Sequence, residues 1–159
     1  FLYNSSEINS AASIVKTKEY CDREGIQYKE VTITSTADIQ QAASSLVNQV
    51  DAFFTPNDNM VASAMATYSQ VATDAGLPIY VGADSMVADG GLATVGIDYN
   101  LLGEQTGRMI ARIINGESIG ENPVETVSEY ANVINMDIAE KLNISIPEEL
   151  QETFVIVGK

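Results

Sequence analysis

Short polar segments rich in Asp, Asn and Ser recur along this sequence, each directly after an apolar segment. The residues in them that could bind a ligand are Asn4, Ser5, Ser6, Thr55, Asn57, Asp58, Asp84, Ser85 and Asp98. Ser and Asn beside the free N–H groups of a helix N-terminus suit a carboxylate, whereas an Asp carboxylate suits an ammonium group or sugar hydroxyls. An amino-acid zwitterion would use both kinds of partner. The segments therefore predict a site for a small polar solute.

Each of these residues also has a purely structural interpretation. Asp58 and Asp84 immediately precede predicted helices, where Asp is a preferred N-cap. Ser5 and Ser6 suit the same capping role, and Asn57, which follows a proline, suits a turn. What favours a binding site is that all of these segments are expected at one edge of a single sheet.

The spacing of apolar residues predicts strands alternating with helices. The predicted order is β-α-β-α-β-α-β-α-β-α, with strands at 1–3, 27–33, 51–54, 78–82 and 93–97 and with the fourth helix short. The last forty residues predict one strand before 134, a helix over 136–142 and an apolar end at 154–157. Because crossovers between parallel strands are right-handed, this order predicts an α/β fold, a doubly wound parallel sheet flanked by helices on both faces. In such sheets, ligands bind beyond the carboxyl ends of the strands.

Composition excludes several classes of function. The chain has 159 residues, 22 acidic against 8 basic, and a formal charge of −14, which disfavours nucleic acid and anionic membranes as partners. It contains no His and a single Cys, so zinc sites of the usual kinds, His-based triads and an internal disulfide are excluded. No apolar run is long enough to span a membrane. The abrupt apolar start at Phe1 predicts a strand cut from a longer protein.

Catalysis is not predicted. The carboxylates Asp58, Asp84 and Asp98 are acceptable ligands for a magnesium ion, but their spacing matches no dedicated metal loop. The phosphate-binding and nucleophile motifs built on glycine are absent, and a phospho-receiver domain would need a lysine in the stretch between Lys29 and Lys141, which has none. We therefore expect no enzyme, no metal and no cofactor.

Several segments together resemble a known family. They are Leu2-Tyr3-Asn4-Ser5-Ser6-Glu7, Thr55-Pro56-Asn57-Asp58, Gly82-Ala83-Asp84, Gly96-Ile97-Asp98-Tyr99, Leu102-Gly103-Glu104-Gln105-Thr106-Gly107 and Val133-Ile134-Asn135, followed by Ala139, Leu142, Ile144 and Pro147. Nearly the whole chain thus resembles the second half of a periplasmic-binding-protein type I protein. Within that group it is most similar to the substrate-binding family of ABC transporters associated with tryptophan and tyrosine uptake.

The resemblance implies a particular organisation. Residues 1–159 would form a single lobe, the C-terminal part of a protein whose two lobes close on a solute. Residues 97–116 would cross the hinge and form a helix that packs on the other lobe; without that lobe, the helix would favour a homodimer or helix exchange. The resemblance also implies an extracytoplasmic protein, lipid-anchored through a leader outside this chain. Its partners would be the membrane permease and ATPase of an importer.

The roles implied for the binding residues are specific. Ser5, Ser6 and backbone N–H groups would hold the carboxylate of a solute such as tryptophan or tyrosine, and Asp84 or Asp58 would hold its ammonium group. Binding would close the hinge without covalent chemistry. Two alternatives stay open: the effector-sensing domain of a transcription regulator with the same fold, and an interaction module with no solute.

Overall fold

The computed structural model describes residues 1–127 and 129–158. The strands are β1 (Leu2–Asn4), β2 (Val31–Ile33), β3 (Phe53–Thr55), β4 (Ile79–Val81), β5 (Ala93–Gly96), β6 (Ala131–Asn135) and β7 (Val155–Val157). The helices are α1 (Ile8–Glu24), α2 (Ile39–Leu46), α3 (Asn59–Ser63), α4 (Met65–Asp74), α5 (Asp84–Ala88), α6 (Tyr99–Ile114), α7 (Met136–Lys141) and α8 (Glu148–Thr153). The predicted alternation of strands and helices is confirmed.

The strands are mostly parallel and form two hydrogen-bonded sheets. β1 pairs with β2 in a two-stranded sheet, and a five-stranded sheet has the order β3, β4, β5, β6 and β7. The Thr55 hydroxyl donates to the backbone oxygen of Leu2, which places β3 beside β1. The α/β fold class is therefore confirmed.

One pair departs from the parallel arrangement. β6 runs antiparallel to β5, with Gly96 opposite Ala131. The reason lies in α6, which has no buried residue and therefore does not pack across the sheet as a crossover helix would. The chain leaves the sheet at the carboxyl end of β5 and returns at the same edge, so the next strand must run the other way.

The main core lies between the sheet and the helices that follow β2, β3 and β4. Its largest fully buried side chains include Leu2, Ile33, Ile39, Phe53, Val61, Met65, Tyr68, Ile79, Met86 and Val87. Phe53 and Tyr68 meet edge to face, with ring centroids 5.3 Å apart. On α1, Ile14 and Cys21 are buried, whereas Val15 is 55% exposed.

Helix boundaries largely follow local signals. α1 ends at Gly25, whose φ of 70° is the left-handed conformation that glycine adopts readily. Ser35 caps the 3-10 turn Thr36–Asp38, which leads into α2. The predicted third helix is divided into α3 and α4, because Ala64 has φ −120° and ψ 20°, outside the helical range. Within the described residues, no helix combines the length and the apolar character that crossing a bilayer would require.

Candidate functional site

The loops that follow β1, β3, β4 and β5 meet at one edge of the sheet. The backbone N–H of Asn4 donates to the Asp58 carboxylate at 2.7 Å, and that of Ile97 donates to the backbone oxygen of Gly82 at 3.1 Å. The Tyr99 hydroxyl donates to the side-chain oxygen of Asn57 at 2.8 Å and so connects the first pair of loops to the second. The structure thus brings together the segments that the sequence predicted to be neighbours.

The loop after β1 leads into a helix whose first N–H groups have no side-chain cap. Asn4 is buried, and its side-chain oxygen accepts from the backbone N–H of Ser6 at 2.9 Å. Ser5 and Ser6 are exposed. α1 begins at Ile8, after the N-cap position Glu7, which makes no side-chain cap; the first turn contains no acidic residue, so its leading N–H groups lack a side-chain acceptor. This arrangement suits a carboxylate.

The loop after β3 divides into buried and accessible residues. Thr55 and Asp58 are fully buried. The Thr55 hydroxyl binds a backbone oxygen, and the Asp58 carboxylate accepts from Asn4, Ser10 and Val61. Neither residue offers an accessible polar atom, so both stabilise the loop through buried hydrogen bonds. Asn57 is half-buried. Its side-chain oxygen accepts from the Tyr99 hydroxyl, which orients the amide group and leaves its NH₂ group as a donor.

The remaining predicted residues lie around one cavity. Asp84, Ser85 and Asp98 line a space of about 460 Å³ together with Tyr130, Asn132 and a set of small apolar side chains. The Asp84 carboxylate is half-buried and accepts from the backbone N–H of Ser85 at 2.7 Å. The Asp98 carboxylate accepts from the N–H groups of Asn100 and Leu101, which makes it the N-cap of α6. Of the two, Asp84 accepts the fewer hydrogen bonds and so keeps more acceptor capacity for a cation.

Three residues outside the predicted set complete the site. Glu7 accepts from the backbone and side chain of Asn59 and from the backbone of Met60, and these bonds lower the pKa of its carboxyl although desolvation acts to raise it. The Asn9 side chain donates to the backbone oxygen of Asn57 at 2.8 Å. Ser10 is fully buried against Asp58. Their partners are about fifty positions away in the chain, so no local sequence signal shows these contacts.

Within residues 1–127 and 129–158, no group of three or more Asp, Glu, Cys or His side chains is placed to hold a metal ion. Asp58 is buried among hydrogen-bond donors, whereas Asp98 caps a helix. What the edge of the sheet offers is a set of separate polar partners around accessible space.

Comparison with known proteins gives the family of this chain. Residues 1–154 match the family model of the ABC transporter substrate binding protein, and the chain belongs to this family. A tyrosine-binding protein of Clostridioides difficile is 34% identical over 143 residues, which are 90% of this chain and 41% of that protein.

Solved structures share the fold. An ABC domain from Streptococcus pneumonia in complex with L-Trp has a TM-score of 0.88 and 36% identity, and a conserved domain protein from Vibrio cholerae has 0.89 and 32%. A ligand-free, open substrate binding protein with adhesive properties from Clostridium difficile has a TM-score of 0.77 and 36% identity. The chain is covered to 98% or more in each comparison but spans only 53% of each of these proteins. It thus corresponds to about half of their length.

Proposed function

We propose that this chain is one lobe of a two-lobe protein that binds an aromatic amino acid, tryptophan or tyrosine, and delivers it to an ABC importer. The observation that carries the proposal is the uncapped N-terminus of α1 beside exposed Ser5 and Ser6, at the same sheet edge as the half-buried carboxylate of Asp84. One partner suits a carboxylate and the other an ammonium group. Relatives named for tyrosine binding and for a complex with L-Trp favour an aromatic solute.

Each polar residue has a distinct role in this proposal. Ser5, Ser6 and the first N–H groups of α1 bind the solute carboxylate, while Asp84 binds its ammonium group. Asn57 donates from its amide nitrogen, and Tyr99, 45% exposed at the start of α6, offers a ring for the aromatic side chain. Ser85 and Asp98 complete the cavity beside Asp84. Thr55 and Asp58 hold the loop from below.

Helix α6 supports the two-lobe arrangement. Its sixteen residues include none that is buried, and the apolar side chains Ile110, Ile113 and Ile114, which share one side of the helix, are 39–78% exposed. A soluble protein rarely leaves such a face uncovered. We assign residues 97–116 to a hinge crossing and to a helix that packs on the other lobe, and hinge closure around the solute to the whole protein.

Membership of the importer family favours transport over the regulator and interaction-module alternatives. We further propose an extracytoplasmic location, a lipid anchor upstream of this lobe, and a permease and an ATPase as partners. Membrane fractionation of cells with and without an inhibitor of lipoprotein processing tests the anchor. If the protein is in the soluble fraction of treated and untreated cells alike, the lipid anchor is refuted.

The solute assignment is tested by calorimetric titration of the two-lobe protein with L-Trp and L-Tyr. Asp84→Asn should weaken L-Trp binding by about tenfold or more, because a charge-assisted hydrogen bond of the ammonium group is lost. The same variant should leave the affinity for indole-3-propionate, which lacks the ammonium group, nearly unchanged. Equal losses for both ligands would remove Asp84 from the ammonium site, and no binding of either amino acid by the unaltered protein would refute the function.

A further inference from the structure

The carboxylates of Glu7 and Asp58 join the segments that follow β1 and β3. Glu7, at the start of α1, accepts from the backbone N–H of Asn59 at 3.1 Å, from its side-chain amide at 2.9 Å and from the backbone N–H of Met60 at 3.1 Å. The donors belong to the first turn of α3. A residue of one loop therefore satisfies the free N–H groups of a helix that follows another loop.

Asp58 makes the reverse connection. Through one oxygen it caps its own helix, accepting from the backbone N–H of Val61 at 3.0 Å. Through the other oxygen it accepts at 2.7 Å from the backbone N–H of Asn4 and at 2.7 Å from the Ser10 hydroxyl. The two carboxylates thus bind crosswise: Glu7 accepts from the helix start that follows Asp58, and Asp58 accepts from residues on both sides of Glu7.

These hydrogen bonds lie on either side of the residues proposed to present polar atoms to a solute. Ser5 and Ser6 lie between Asn4 and Glu7, both of which are tied to the β3 loop. Asn57 directly precedes Asp58, and its backbone oxygen accepts from the Asn9 side chain at 2.8 Å. A shift of one loop would therefore have to move the other.

We propose that Glu7 is a positioning residue for solute binding: with Asp58 it fixes the Ser5–Ser6 turn relative to Asn57 and does not contact the solute. The inference rests on the proposed function. Loops that are already ordered lose less conformational freedom when a ligand binds, so the arrangement raises affinity without adding a contact.

Replacement of Glu7 by Gln tests the proposal in the two-lobe protein. Glu7→Gln replaces one accepting oxygen by a donating NH₂ group, which then faces N–H donors. We expect about tenfold weaker binding of L-Trp or L-Tyr by calorimetric titration, comparable to the loss of a charged hydrogen bond. Asn59→Ala, at an exposed position, removes one of the donors and should act in the same direction more weakly.

The matched control is Asp38→Asn. The Asp38 carboxylate also accepts from backbone N–H groups, those of Thr34 at 3.2 Å and Ser35 at 2.9 Å, but it joins only residues of its own turn. This variant should lower stability and leave affinity unchanged. A role in stability alone would make Glu7→Gln behave in the same way.

A double-mutant cycle separates positioning from general stabilisation. If Glu7 acts by holding the Ser5–Ser6 turn, the affinity lost on Ser6→Ala should shrink in the Glu7→Gln background, because the turn is already displaced. Additive losses, or wild-type affinity in Glu7→Gln, overturn the proposal.

Hydrogen exchange provides a readout that needs no ligand. In Glu7→Gln the amides of Asn59 and Met60 should exchange faster, and so should those of Ser6 and Glu7 across the junction. If the unaltered protein binds no amino acid, the proposed function fails while exchange still decides whether the loops are coupled. Unchanged exchange at Ser6 and Glu7 overturns the coupling itself.

Discussion

The Glu7 carboxylate accepts hydrogen bonds from Asn59 and Met60, at the start of α3, and this environment changes its pKa. Burial acts to raise the pKa of Glu7, but hydrogen bonds from Asn59 and Met60 outweigh it and lower the pKa overall. Only the ionised carboxylate accepts all of these bonds. The folded protein therefore favours ionised Glu7 more than the unfolded chain does, where the pKa of Glu is about 4.3.

This lowered pKa predicts a pH-dependent contribution to stability. The contribution is complete above the unfolded pKa of about 4.3 and disappears as pH falls through the lower folded-state pKa. At neutral pH we expect Glu7→Gln to unfold at a lower urea concentration, with a free-energy loss of about 1 kcal/mol. The difference from the unaltered chain should then shrink as acid protonates Glu7. Urea midpoints measured over the pH range test this.

Glu19 supplies the control for that series. Its side chain lies on the exposed part of α1, so Glu19→Gln should shift the midpoint little at any pH. A stability loss in Glu7→Gln that stays constant from neutral to acidic pH would mean that the bonds of Glu7 do not depend on its charge.

At the scale of elements, glycine allows the loops after β3 and β4 to approach one another closely. A Cβ added to Gly82 would lie 2.5 Å from the backbone nitrogen of Asn57 and 2.8 Å from the carbonyl carbon of Pro56. These are backbone atoms, which cannot rotate away as a side chain can. The loop after β4 can therefore lie against the loop after β3 only while residue 82 has no side chain.

Gly82→Ala should accordingly separate the two loops. We expect a loss of about 1–3 kcal/mol in the free energy of unfolding, together with weaker solute binding, because Asn57 is displaced. Gly120→Ala is the matched control: a Cβ there meets nothing within 4 Å, and the residue lies outside the helix proposed to pack on the other lobe, so that variant should be nearly neutral. Chemical denaturation of both variants tests the prediction. Equal behaviour of the two would show that the contact at Gly82 is relaxed without cost.

The sequence predicts these elements better than it predicts their contacts. Apolar spacing and glycine stops locate most strands and helices because these signals are local. The division at Ala64 is not visible, since Ala and Met are both good helix formers. The burial of Asp58 is not visible either: its local context shows a helix cap, whereas its bonds to Asn4 and Ser10 depend on residues about fifty positions earlier. The antiparallel β6 follows from the path of α6, which local spacing does not reveal.

At the scale of the whole molecule, α6 is a helix of sixteen residues, none of which is buried. Its polar contacts include the ion pairs of Arg112 with Glu117 and Glu125 and the hydrogen bonds of Gln105 to Glu125 and Thr126, all of which join it to the segment that follows it. Ile110, Ile113 and Ile114 are meanwhile 52%, 39% and 78% exposed. The polar side of the helix thus contacts the following segment, while its apolar side is available to another surface.

This uncovered side predicts opposite behaviour of the isolated lobe and of the two-lobe protein. Alone, the lobe should self-associate as its concentration rises, and the double variant Ile110→Glu, Ile114→Glu should return it to a monomer. In the two-lobe protein the same variant should lower the melting temperature by several degrees, because it places charge in an apolar interface. Sedimentation equilibrium and calorimetry measure the two effects.

Val15→Glu distinguishes this interface from general surface hydrophobicity. Val15 is 55% exposed on α1, comparable to Ile110, but it lies outside the proposed hinge region. Its substitution should change neither self-association nor the melting temperature of the two-lobe protein appreciably. If instead the isolated lobe stays monomeric and the α6 variant leaves the two-lobe protein unchanged, α6 does not pack on the other lobe, and hinge closure must be transmitted through another element.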